Sequence, residues 1–216
     1  MPLPVLVAGL LFVSQSAAAD LARAEDARFN RCLANTETNP EAAYEDGLAW
    51  LSEGGRPLAR HCTALALIAL GQVEEGALRL EELATAPDAG SIEKRSIYLA
   101  QAGNAWLSIG YAKEAAVALS NALRLSPDNA DLLLDRASAY ILVDRHTEAL
   151  TDLDKALSII EYDPLVYQLR AAAFLGLGRL DEAKAAIEEA RSLAPDDIDV
   201  LVLRGEIREA IRRRSR

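Results

Sequence analysis

A step of 34 residues runs through the second half of this chain and leaves few folds open to it. Trp106, Tyr140 and Phe174 are separated by that step, as are Gly103, Ala137, Ala171 and Gly205. Ala115, Ala149 and Ala183 keep the same register, and so do Leu119, Leu153, Ile187 and Ala122, Ala156, Ala190. The acid before the central alanine also recurs, at Glu114, Glu148 and Glu182. A fixed period of this length means one supersecondary unit repeated, each copy burying its apolar face against the next. Within a copy, apolar residues follow helical spacing, as at Ala116, Leu119 and Leu123. Gly110 and Gly178 stand where a first helix must end and the chain turn, with Asp144 in that place between them. Ser126-Pro127 and Ala194-Pro195 close the second helix, because the residue before proline is pushed out of the helical region. Where two helices cross, Gly or Ala lets the backbones approach, and the aromatic one turn on fills the adjoining gap.

Composition agrees with helices and excludes several functions. About half of the residues are hydrophobic but only 5% are aromatic, so Ala and Leu supply the apolar surface and helices are favoured over sheets. The formal charge of −10 argues against a nucleic-acid partner, which needs a basic face. Neither a G-x-x-x-x-G-K-[ST] nor a G-x-G-x-x-G run is present to cradle phosphates. His61 and His146 lie far apart without a nucleophile motif or zinc spacing, so no catalytic residue, metal site or cofactor is expected. Acid pairs such as Glu74-Glu75 and Glu188-Glu189 read as solvated helix faces, and Trp50 and Trp106 as core. The cationic end from Arg212 to Arg216 complements the dipole of a last helix.

The first residues read differently. Leu3 to Val13 is an apolar run, followed by Ala17-Ala18-Ala19 ahead of Asp20, the pattern of an export signal over residues 1–19. No Lys or Arg precedes the run, which departs from that pattern. The run falls short of the roughly 20 residues that span a bilayer, so no stable membrane insertion is expected after cleavage; an uncleaved anchor and a cytosolic protein are the alternatives. A periplasmic or secreted location follows as an expectation. There Cys32 and Cys62 read as a disulfide, with two buried free thiols as the alternative.

The repeated positions resemble those of the tetratricopeptide-repeat family over Ser96 to Pro195: a small residue, an aromatic three on, then Ala, a large apolar residue and Ala. The resemblance implies an all-α, right-handed superhelical solenoid of stacked antiparallel helix pairs. Three repeats are expected over residues 96–197, after degenerate helical repeats over 20–95, and a capping helix with a basic tail over 198–216. In the degenerate part, Leu21 to Asn35 pairs with Glu41 to Ser52, Gly54-Gly55 is the stop, and a second pair runs from Pro57 to about Pro87. Five extra residues near Ser91 to Arg95 read as a longer connection. Family first-helix positions facing the concave groove fall here on Asn104, Leu107, Leu134, Ser138, Ile141, Gln168, Ala172 and Leu175, with Ile97, Ala100, Asp131 and Leu165 beside them. Ala100 and Asp135 stand where some family members carry the Lys and Asn that grip a terminal carboxylate, so a receptor for chaperone tails is not expected. The expected function is an exported adaptor or assembly factor taking a protein or peptide of the cell envelope in this groove. A structural subunit that self-associates through its terminal faces is the alternative. A monomer or weak homo-oligomer fits either reading, and an edge or the convex face is the competing site.

Overall fold

The computed structural model describes residues 5–54 and 56–216, with side chains from residue 19 onward. Residues 1–4 of the expected export signal and the side chains of residues 5–18 lie outside the described residues, as does Gly55 of the expected stop. Every regular element described is an α-helix, the all-α solenoid class that the repeat implied. The chain divides into two compact units, Met1–Leu83 and Ala84–Arg216. Among the described residues no helix is long and apolar enough to cross a membrane.

The first unit holds α1 (Val5–Thr38), α2 (Pro40–Ser52), α3 (Pro57–Ala69) and most of α4 (Val73–Thr85). Asn39 caps α2 by accepting from the Ala42 N–H at 3.2 Å, and Pro40 opens it where no N–H is needed. Cys32 and Cys62 are joined by a disulfide with Cα atoms 5.9 Å apart. The bond lies among Ala43, Trp50, Ala59 and Ala66, with Phe29, Tyr44 and Leu58 packed against them. Arg28 stands over the Trp50 ring at 4.9 Å and donates to both carboxylate oxygens of Glu53 and to Asp46. This fork joins α1 to α2 at the rim of the disulfide core.

The second unit stacks three helix pairs and a final helix. The pairs are α5 (Ile92–Ser108) with α6 (Ala112–Leu125), α7 (Ala130–Leu142) with α8 (His146–Leu157), and α9 (Pro164–Gly176) with α10 (Leu180–Leu193). The last helix is α11 (Ile198–Arg214). The extra residues before the first clear copy form helix, not a longer connection. Ser91 caps α5 by accepting from Lys94, and Arg95 donates to the carbonyls of Ala84 and Ala86 at 2.9 Å, anchoring an added turn to the preceding segment. Gly110, Asp144 and Gly178 all have positive φ, at 80°, 59° and 70°. Each copy therefore reverses through the same left-handed residue, which Asp tolerates better than most side chains.

The repeated small residues are where the helices touch. Ala115, Ala149 and Ala183 are fully buried, with Leu119, Leu153 and Ile187 one turn on. At Gly103 the helices approach closely, since a Cβ there would sit 2.5 Å from Leu119 Cγ. The aromatic of each copy is stacked from the turn that follows it. Tyr111 lies parallel to Trp106 at 5.6 Å, Arg145 stands 4.3 Å above Tyr140, and Arg179 stands 4.6 Å above Phe174.

Candidate functional site

Within the second unit the first helices adjoin one another, α5 beside α7, α7 beside α9 and α9 beside α11. The second helices α6, α8 and α10 make no comparably close approach. First helices thus occupy the inner side of the curve, and their outward-facing residues form one continuous surface.

The residues expected to line that surface fall into two groups. Asn104 is exposed, and Leu107, Ser138, Ile141, Gln168, Ala172 and Leu175 are half-buried, all open to a ligand. Ile97 and Leu165 beside them are 50% and 44% exposed. Leu134 is a correction: it is only 5% exposed and belongs to the core. Its helix α7 is flanked on both sides by first helices, so an apolar side chain on that flank is covered. Apolar contact on the face therefore comes from Ile97, Leu107, Ile141, Leu165 and Leu175.

The polar groups of the face are acidic and partly engaged. Asp135 of α7 stands beside the Asn104 side chain of α5. Burial raises the Asp135 carboxyl above the ordinary value, the Asn104 hydrogen bond pulls it back, and the neighbouring Asp131 charge adds to the rise. Ser138 Oγ donates to the Leu134 carbonyl at 3.0 Å, which leaves its lone pairs to accept from a ligand. No group of three or more His, Cys, Asp or Glu among the described residues could hold a metal ion.

A second set of side chains fixes the geometry of this face, and sequence reasoning passed over it. Arg136 donates to both oxygens of Asp152 at 2.7 Å and to Ser120 Oγ at 3.2 Å, joining α7 to α8 and to the preceding α6. Arg170 pairs with Asp154, and Arg204 donates to Glu188 at 2.6 Å. Arg136, Arg170 and Arg204 follow the 34-residue step, as do Ser120, Asp154 and Glu188. Each arginine ties a first helix to the second helix of the copy before it. Asp152 is 5% exposed, so in the central copy the pair is buried and fixes the spacing of α7 and α8.

These features define a class of protein: an all-helical repeat solenoid with an uninterrupted inner face. The comparisons with known proteins are specific about its family. The tetratricopeptide-repeat profile matches residues 165–197. The Hsp70-Hsp90 organizing protein of Triticum aestivum is 36% identical over 95 residues, covering 44% of this chain and 16% of that relative, so the match spans only a small part of the relative's length. A thermophilic TPR protein of Thermus thermophilus superposes with a TM-score of 0.54 at 26% identity, over 87% of this chain and 98% of that one. The first TPR of Spaghetti (RPAP3), bound to the HSP90 peptide SRMEEVD, gives a TM-score of 0.50 at 27% identity, over 54% and 92% of the two chains. Residues 165–197 thus match a tetratricopeptide repeat, and the fold is that of tetratricopeptide-repeat proteins.

One expectation is overturned by these relatives. The wheat relative is a cytosolic co-chaperone, and the periplasmic or secreted location inferred from the apolar run at Leu3–Val13 does not stand. An apolar segment ahead of Ala17-x-Ala19 is compatible with a helix of any destination, and the backbone from Val5 to Thr38 is one continuous helix.

Proposed function

We propose that this chain is a non-enzymatic interaction module that takes an extended or helical segment of another protein along the inner face of α5, α7 and α9. The division into degenerate helical repeats over 20–95, three repeats over 96–197 and a final helix belongs to the same reading. The observation that carries it is the composition of the face. Ile97 and Leu165 are exposed apolar side chains. They stand beside Asn104, Ser138 and Gln168, whose polar groups can pair a backbone. A merely solvated helix face carries Lys and Glu instead. The RPAP3 neighbour is bound to an acidic HSP90 peptide, but here Asp131 and Asp135 line the face and Ala100 replaces the cation of the carboxylate clamp. The bound segment is accordingly neutral or basic.

Replacing Ile97 and Ile141 together with Glu should abolish capture of the partner from a lysate of the source cells, with helical content unchanged by circular dichroism. Val117→Glu, an equally polar change at a 61% exposed position of the second helix α6, should leave capture intact. The reverse pattern would move the site to the convex side.

A further inference from the structure

The final helix α11 continues the first-helix register of a fourth copy, but among the described residues no second helix covers it. Leu99 and Leu133 are 6% and 2% exposed, whereas Leu201, at the same register position, is 44% exposed. Val202 occupies the position of Leu134 and is 56% exposed against 5%. The contrast at the small residue is sharper. A Cβ on Gly103 would collide with Leu119, while one on Gly205 would meet nothing within 4 Å. Ile198, on the same side of the helix, is 75% exposed. The polar outer surface expected of a capping helix is therefore broken by an apolar row, Ile198, Leu201 and Val202, ending at a glycine that admits close approach.

Charge along α11 specifies what covers this row. Asp196, Asp197 and Asp199 stand at its start with no cation among them, while residues 208–216 carry five arginines against Glu209 alone. Asp196, Asp199 and Arg208 make no ion pair among the described residues. We propose that the occupant is a second copy of this chain, with the two α11 helices packed antiparallel across a two-fold axis at Gly205. That register sets Val202 of one copy against Arg208 of the other and Ile198 against Arg212, so the arginine stems cover the apolar side chains. The acidic start of each helix meets the basic end of the other, a match that parallel packing would turn into repulsion. A single helix pair buries less than the roughly 1,200–2,000 Å² of stable interfaces, so the dimer is a weak one whose population depends on protein concentration. This inference rests on α11, beyond the stretch of α5, α7 and α9 that the proposed function uses, and its test does not depend on that function.

Sedimentation equilibrium of the full chain tests it. At low salt the apparent mass should rise with concentration toward twice the 23.3 kDa chain mass, and added salt should weaken the association. Asp199→Arg and Arg212→Asp should each weaken self-association by about tenfold or more, because each sets like charges together in a symmetric pair. An equimolar mixture of the two variants restores both charge pairs and should recover dimer to within about threefold of the native constant. A native chain that stays monomeric to about 1 mM overturns the proposal, whether or not α11 accepts a foreign helix. So does a dimer that both variants leave intact, or one that mixing fails to restore.

Discussion

Two glycines at one register position, Gly103 and Gly205, should respond to the same substitution with opposite signs. In Gly103→Ala the new Cβ falls 2.5 Å from Leu119 Cγ and 2.8 Å from its Cδ2, and Leu119 is fully buried. Neither atom can withdraw without moving α6. Overpacking of this kind costs about 1–3 kcal/mol, and alanine's better helix propensity returns about 0.5–1 kcal/mol. The net loss is up to about 2.5 kcal/mol, or a thermal midpoint lowered by up to roughly 10 °C. Gly205→Ala meets open space, so only the propensity term remains, and the midpoint should rise by roughly 1–4 °C. Thermal and urea unfolding at dilute protein concentration measure both variants. If Gly103→Ala stabilises as much as Gly205→Ala, the close crossing of α5 and α6 is not present, and the reasoning from register to packing fails.

Three further outcomes follow from named contacts. Arg136→Ala leaves Asp152 buried without its cation and should cost about 3 kcal/mol in urea unfolding, while the apolar pair Arg136→Met with Asp152→Leu should recover most of it. Reducing the Cys32–Cys62 bond, which closes a loop of sequence separation 30, should destabilise the first unit by about 3–4 kcal/mol, read from Trp50 fluorescence in a Trp106→Phe background. Asp135 binds its proton more tightly in the fold than in the unfolded chain, so its contribution to stability falls as pH rises from the ordinary value of 3.8 through the raised one. Asp135→Asn should therefore raise the thermal midpoint at neutral pH and lose that advantage well below 3.8.

Register was readable because the 34-residue step fixes which side chains meet: Ala149, Leu153 and Tyr140 lie in the core as their spacing requires. The added turn of α5 was not, since Ser91 to Arg95 carries no apolar pattern and is held by a cap and by Arg95 reaching backbone carbonyls. Leu134 reads as surface from spacing alone, because burial of a first-helix flank depends on which helix stands next to it. The same position is open in α11, where no neighbour follows among the described residues. The Arg136, Arg170 and Arg204 series obeys the step as strictly as the alanines do, but charged residues read singly look like solvent-facing polarity. Their partners lie 16 residues earlier, at Ser120, Asp154 and Glu188, in the preceding copy, a separation that helical periodicity does not single out.

Site-specific photo-crosslinking in intact cells tests the inner face most directly. A photoreactive phenylalanine analogue is placed in turn at Ile97, Ile141 and Leu165 on the first helices, and at Val117 on α6 and Leu142 at the far end of α7, both more than 60% exposed. Adducts are then identified by mass spectrometry. One protein, joined through a single neutral or basic segment, should be recovered from the three inner positions and be absent from Val117 and Leu142. Recovery from Val117 or Leu142, with the three inner positions silent, would contradict the inner face as the binding surface.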